Sequence, residues 1–335
     1  MKTVHAYAAK SAGKSVEPFE YTLPDIGPEE IDIKVEYCGL CHSDLSMMAN
    51  EWGMTAYPFI GGHEIIGTIE AMGGQVKGFT QGQRIGLGWM SHSCLHCQQC
   101  FSGDHNLCGK AEQTIVGRHG GFADTVRCHW EWAIPLPGEL DAQTAGPLFC
   151  GGITVFNPII QLNIKPTQRV GVIGIGGLGH MALQFLNKWG CEVTAFTSSS
   201  GKKDEAIKMG AHYVVNSKDG NELKKQAGSL DFILNTANAD LDWDALFAVL
   251  APKGHLHTVG VIPKPISVAA MTLIGQQRSL SGSPLGSPST IRTMLEFCAR
   301  HKIAPITETL AMQDLNKALV HLDEGKARYR LILKI

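Results

Sequence analysis

Four cysteines within fifteen residues, Cys94-x2-Cys97-x2-Cys100-x7-Cys108, are spaced to wrap one Zn²⁺ in four thiolates with no coordination position left open. The bacterial iron–sulfur run starts the same way but continues with a gap of three and then Cys-Pro. Here the gap is seven and Gly109 follows. A nucleic-acid-binding zinc ribbon would use two separated C-x2-C pairs with basic neighbours, and neither is present. His92, His96 and His105 stand near this lobe, but four thiolates complete the site without them. A second set is dispersed: Cys41 in CGLCHSD, His63 and Glu64 in GGHE, and Cys150 in PLFCGGITVF. Each is commonplace alone. Cys38, Cys128, Cys191 and Cys298 sit singly in apolar contexts and read as packing.

The third chemical signal is GIGGLG, Gly174-Ile175-Gly176-Gly177-Leu178-Gly179. With 38 glycines in the chain the match means little by itself, but it follows the apolar run RVGVIGI and opens the helical pattern HMALQFLNKWG. That is the context of a dinucleotide site, with glycines for the turn, for approach to the pyrophosphate and for helix packing. The next strand, CEVTAFT, ends in Thr197-Ser198-Ser199-Ser200-Gly201-Lys202-Lys203, with no carboxylate placed for a ribose 2′-hydroxyl. Hydroxyls followed by lysines suit a 2′-phosphate, so the cofactor expected is NADP(H), with Ser198, Ser199 and Lys203 as its contacts.

The elements that must position these groups change character along the chain. Up to about residue 150 the pattern is short strands broken by glycine: 31–39, 64–73, 84–89 and 123–137, as in an antiparallel barrel or sandwich. From about residue 152 strands alternate with helical segments, which implies right-handed crossovers and a parallel sheet covered by helices. The last fifty residues hold a helix over 290–301 and a final strand, YRLILKI. Length fits two domains: 335 residues, 44% hydrophobic and 18% charged, with a net charge of −2. That balance, with no basic run, argues against nucleic acid or a polybasic membrane anchor. No stretch reaches 18 apolar residues and the N-terminus lacks a signal-like apolar run, so a soluble, cytoplasmic protein is expected.

Taken in order, CGLCHSDL, GGHEIIG, the four-cysteine lobe, CGGITVF and GIGGLG resemble the zinc-dependent medium-chain alcohol dehydrogenases. GIGGLGHMALQFLNKWG, TSSSGKK and SGSPLGS point to the cinnamyl-alcohol-dehydrogenase-like branch and its bacterial NADPH-dependent aldehyde reductases. The resemblance implies an α/β chain with a Rossmann doubly wound parallel sheet, residues 152–285, inserted after a chaperonin-10-like β-barrel. That catalytic domain comprises 1–151 and 286–335. It also implies two zinc ions per chain, an NADP(H)-linked aldehyde or primary alcohol substrate, and a homodimer.

By the same resemblance Cys41, His63 and Cys150 hold a catalytic zinc, with Glu64, water or substrate oxygen at the fourth position. Asp44 orients His63, and Ser43 passes the substrate proton. His42, Thr154, Thr236, Gly260 and Ser283 match cofactor contacts. Trp52, Trp89, Met90 and Leu285 match an apolar substrate pocket, with Trp243 not involved. Ser46 stands where many relatives have the histidine that ends the proton relay, which would favour aldehyde reduction over alcohol oxidation. The alternatives are a polyol-type dehydrogenase of the same superfamily, or a non-catalytic NADPH-binding protein that would lack the catalytic ligands.

Overall fold

A computed structural model describes residues 1–198, 200–262 and 264–335. The chain divides into two compact units, Met1–Cys150 with Gly286–Ile335, and Gly151–Leu285. The boundary expected after residue 151 and the division after Cys150 differ by Gly151, the first residue of the helix Gly151–Gln161.

In the first unit the eleven-residue strand Glu30–Leu40 is the organising element. Ile31, Ile33, Val35, Cys38 and Leu40 are buried along it, which is the mark of a strand inside a core. Glu64–Met72 pairs antiparallel along one edge, with Gly39 opposite Glu64. The other edge is shared: Thr125–His129 pairs with residues 30–34, and Arg330–Lys334 pairs with residues 37–40. The full seven-stranded order runs Thr307–Ala311, Arg330–Lys334, Glu30–Leu40, Glu64–Met72, Arg84–Leu87, Ile134–Pro135, with Thr125–His129 off that path. The pair Thr307–Ala311 and Arg330–Lys334 is parallel, in contrast to the antiparallel pairing of the strands before residue 150.

One local expectation also changes. The β pattern over 123–137 breaks after His129 into a 3₁₀ turn, Trp130–Trp132, and resumes only as Ile134–Pro135. Pro135 and Pro137 have no N–H for a ladder, and Trp132 turns into the core, so a continuous strand cannot persist. The N-terminal hairpin Lys2–Ala9 with Val16–Leu23 was not anticipated. Its inward face of Val4, Ala6 and Ala8 is too small to stand out as a hydrophobic alternation.

The second unit is a six-stranded parallel sheet in the order Tyr213–Asn216, Glu192–Thr197, Arg169–Ile173, Leu230–Asn235, Leu250–Thr258, Ser279–Gly282. Numbered from Arg169–Ile173 this is 3-2-1-4-5-6, the doubly wound dinucleotide topology, whose binding crevice lies where the strand order reverses. Val170, Val172, Val193, Ala195, Phe196, Ile233 and Leu234 are fully buried. Trp243, Leu246 and Phe247 of the helix Trp243–Val249 pack with Phe196, Ile233 and Leu256, so Trp243 is a core residue. The helix Gly179–Trp189 ends at Gly190, whose φ of 107° supplies the left-handed cap expected there. No described helix is long and apolar enough to cross a membrane.

Candidate active site

The register of the first unit converts dispersed residues into a cluster. Cys41 follows the end of Glu30–Leu40, Glu64 begins the neighbouring strand, His63 precedes it, and Cys150 closes the turn Gly146–Phe149. Cys41, His63, Glu64 and Cys150 each offer a ligand-type atom, all within 4.8 Å of one another. Cys150 Sγ lies 3.8 Å from Cys41 Sγ and 3.3 Å from His63 Nε2. The cysteines are not bonded to each other.

Asp44 binds the cluster together from behind. Its Oδ1 accepts from Gly62 N–H at 2.8 Å and lies 3.0 Å from His63 Nδ1, while its Oδ2 accepts from Cys41 N–H at 2.9 Å. One buried carboxylate thus fixes the imidazole, leaving Nε2 to face the sulfurs, and anchors two backbone segments. The contact between the two sulfurs holds the Cys41 thiol well below the usual range, helped by Arg330, and with burial pushes Cys150 up. Burial opposes a charged imidazole at His63, but Asp44 outweighs it and raises the ring. Burial likewise lifts the Glu64 carboxyl to about 7, against the pull of Arg330.

Arg330 is the residue that sequence reasoning missed. Its guanidinium pairs with Glu64 Oε1, and both side chains are buried. Glu64 Oε2 is buried without a hydrogen-bond partner among the described residues. A Cβ at Gly39 would come within 2.1 Å of that oxygen, so the glycine is what makes room for the carboxylate. Two thiols, an oriented imidazole and a carboxylate with one oxygen unspent are a donor set that fits zinc with an exchangeable fourth position.

The first unit holds further expected residues. Ser43 Oγ is 3.7 Å from Cys41 Sγ, in the first turn of the helix His42–Met48, and His42 beside it is exposed. Trp89 sets its ring edge-on to His63 at 5.0 Å and to Trp52 at 6.0 Å, and both tryptophans pack against the cluster Met47, Phe59 and Ile115. Met90 is buried at the start of the strand Met90–His92. Ser46 is buried on the same helix as Ser43. Leu285 and Thr154, in the second unit, are each half-buried.

The four-cysteine lobe is likewise assembled. Cys94, Cys97, Cys100 and Cys108 bring their sulfurs within 4.8 Å of one another, and backbone N–H groups of Cys94 and Lys110 donate to Cys108 Sγ at 3.4 Å. Backbone donation from His96 is the main reason the Cys94 thiol falls to about 6. Such bonds favour thiolate and hence metal. Four sulfurs and no carboxylate fit a closed zinc site. The four remaining cysteines are buried, and burial raises each thiol.

In the second unit a cavity of about 510 Å³ opens at the glycine loop, with Gly174, Gly176, Ser198, Lys202, Lys218 and Thr236 among its walls. Gly174 has φ of 86°, and a Cβ at Gly179 would meet the Gly174 carbonyl at 2.0 Å. Gly176 faces open space, so a diphosphate could approach its backbone. Ile175, Gly177 and Leu178 complete the turn, Leu178 as the cap of Gly179–Trp189. Thr236 Oγ1 donates to the carbonyls of Ile173 and Gly174 at 2.9 and 2.7 Å, bracing the loop. Gly260 packs so closely on the Ala237 carbonyl that a Cβ would lie 2.2 Å away. Ser283 Oγ meets His257 Nε2 at 2.9 Å.

The lysine that reaches the loop is Lys202, whose Nζ donates to Ile175 O at 2.8 Å. Lys203, named from the sequence, is exposed in the first turn of Lys203–Lys208, since adjacent positions diverge by about 100° around a helix. Lys218 comes from a later loop and had no sequence signal. Ser199 lies outside the described residues. Asp240 and Asp242 also border the cavity, but the first pairs with Lys264 at 2.6 Å and the second caps Ala245 N–H at 3.0 Å.

Comparison with known proteins gives two family matches: the alcohol dehydrogenase GroES-like domain over residues 27–138, and zinc-binding dehydrogenase over residues 177–300. The chain is 50% identical over 330 residues to aldehyde reductase AdhA of Synechocystis sp., covering 98% of both chains. Among solved structures, a cinnamyl alcohol dehydrogenase of Sorghum bicolor superposes with a TM-score of 0.95 at 33% identity, over 99% of this chain and 98% of that one. A cinnamyl alcohol dehydrogenase of Helicobacter pylori, complexed with NADP(H), superposes with a TM-score of 0.92 at 28% identity, with the same coverages.

Proposed function

The chain belongs to the zinc-dependent medium-chain alcohol dehydrogenases, in their cinnamyl-alcohol-dehydrogenase-like branch, and on that premise we propose that it reduces small and medium aldehydes to primary alcohols with NADPH. The observation that carries this reading is the convergence of Cys41, His63 and Cys150, with Asp44 bonded behind His63. A non-catalytic NADPH-binding protein would have no use for that donor set.

Cys41, His63 and Cys150 would hold the zinc, with Glu64 as a further donor beside its exchangeable position. When bound, zinc supplies a Lewis acid for the carbonyl oxygen and NADPH a hydride for the carbonyl carbon. Asp44 keeps the His63 Nδ1 proton, so Nε2 stays a donor of electron density toward the metal. Ser43 relays a proton from solvent to the oxygen that becomes the alcohol, taking one up as it gives one, which balances the hydride delivered to carbon. Trp52 and Trp89, with Met90, present an apolar surface that excludes water and suits an uncharged chain or ring, and the resemblance gives Leu285 the same role.

Gly174–Gly179 and the N-terminus of Gly179–Trp189 hold the pyrophosphate, a group that the resemblance also assigns to His42. Ser198 and Ser199 hydrogen-bond the 2′-phosphate, and Lys202, with Lys203 and Lys218, neutralises it. Thr154, Thr236, Gly260 and Ser283 serve the ribose and nicotinamide. The four-cysteine lobe holds a structural zinc. We read the compartment as cytoplasm, because ten unbonded cysteines suit a reducing environment. A homodimer is supported by the outer strand Ser279–Gly282, which pairs on one side among the described residues, and by exposed Val261, Met271 and Ile274.

Initial rates on a panel of aldehydes and alcohols, with NADPH and NADH, before and after zinc removal, test this directly. The reading requires NADPH preference and loss of turnover without zinc. A preference for NADH, or full activity in the metal-free protein, overturns it.

A further inference from the structure

Beside the four-cysteine lobe, and using none of its sulfurs, three further side chains converge. His92 ends the strand Met90–His92, His129 ends Thr125–His129, and Glu131 lies in the turn that follows. Each offers a ligand-type atom, and the three atoms lie within 4.8 Å of one another. His129 is 8% and Glu131 5% exposed. Yet His129 Nδ1 and Glu131 Oε2 are both buried without a hydrogen-bond partner among the described residues. Two orphaned polar atoms in one cluster are costly unless something binds them.

The rest of the cluster is held firmly. Glu131 Oε1 accepts from the backbone N–H and the hydroxyl of Ser93, each at 2.6 Å. The same hydroxyl lies 3.1 Å from His105 Nδ1, and His105 Nδ1 is 3.8 Å from Glu131 Oε2. The His92 and His129 rings tilt together with centroids 4.7 Å apart. His129 Nε2 faces Glu29 Oε2 at 3.6 Å, the kind of carboxylate that steadies a ligating imidazole from outside. Tetrahedral zinc with bonds of about 2.0–2.1 Å holds its donors ~3.3 Å apart, within a side-chain adjustment of the spacing seen.

We propose that His92, His129 and Glu131 form a third metal site, open at its fourth position, for a late first-row divalent cation. Two imidazoles and one carboxylate make it a nitrogen–oxygen site, chemically distinct from both cysteine-containing ones. It exchanges metal more readily than they do, and half-exposed His92 marks the side by which the cation enters. Ser93 links it to the cysteine lobe, because its side chain fixes Glu131 while its neighbour Cys94 is a sulfur ligand.

The experiment uses the zinc-loaded full chain, freed of loose metal, with Co²⁺ as the probe. Native mass spectrometry counts the metal, and absorption reports its ligands. The proposal expects one additional cobalt per chain with visible d–d bands, no thiolate-to-cobalt charge transfer, and unchanged zinc content. His92→Ala and Glu131→Gln should each weaken this extra binding at least tenfold. His92→Ala, at a half-exposed position, decides the matter if Glu131→Gln folds poorly. No extra cobalt, cobalt that arrives with thiolate charge transfer and zinc release, or binding that survives His92→Ala each overturn the proposal.

Discussion

Arg330 and Glu64 form a buried ion pair beside Gly39, whose missing side chain leaves the space that the carboxylate fills. The pairing register explains the meeting. Gly39 lies opposite Glu64 on one edge of Glu30–Leu40, and Leu40 lies opposite Leu331 on the other. Residues 266 positions apart are therefore brought together at one strand end.

Cutting this pair on one side leaves a charge without compensation in the core. Arg330→Gln should destabilise the protein by about 3–5 kcal/mol, the usual cost of an orphaned buried charge. Denaturant unfolding of the variant measures it. An unchanged midpoint would mean that Glu64 is satisfied by something other than Arg330.

Asp44 serves the zinc cluster through His63 and the backbone at once. Alanine there would strip Cys41 and Gly62 of their acceptor, so a change in activity would not separate ligand orientation from local unfolding. Asp44→Asn keeps the shape and one acceptor oxygen. It should weaken zinc at the Cys41–His63–Cys150 cluster by about 10–100-fold while the four-cysteine lobe keeps its metal. Chelator competition with zinc counting reads both sites, and wild-type retention at both would remove Asp44 from its orienting role.

Lys202 gives the test of cofactor choice. Lys202→Ala should raise KM for NADPH about tenfold or more, equivalent to about 1.4 kcal/mol of lost phosphate attraction, and leave KM for NADH nearly unchanged. Because Lys202 also braces Ile175, an equal loss with both cofactors would assign it to loop support instead.

His257 predicts an acid limit on stability. Its ring is buried between Ser281 and Ser283, and burial, with His255 beside it, lowers its pKa from 6.5 to about 4. Between those values the unfolded chain takes up a proton that the fold refuses, so stability falls as pH drops below about 6.5 and is unaffected above. His257→Gln should flatten the decline of the melting temperature between pH 6.5 and 4. His255, lowered in the same direction, supplies part of the remainder. A wild-type slope in the variant would show that other groups dominate.

Much of the site was legible before any fold was known, because zinc lobes and dinucleotide loops are built from residues close in sequence. The four cysteines fit one metal by spacing alone, and Gly174, Gly176 and Gly179 fit one turn. Lys202 and Lys203 are adjacent in sequence, and only the fold shows which of them reaches Ile175 O. Where small alanines carried a strand face, the N-terminal hairpin went unread.

What sequence alone determined is thus local: which residues can bind a metal, which loop can take a diphosphate, and which segments alternate between strand and helix. Tertiary structure decided everything that depends on register between distant strands. Arg330 reaches Glu64 because their strands pair with opposite edges of Glu30–Leu40 at the same end. His129 and Glu131 join His92 because a strand ends in a turn beside it. Pairing of this kind is a long-range choice among strand edges, and no single segment records which edge it will meet.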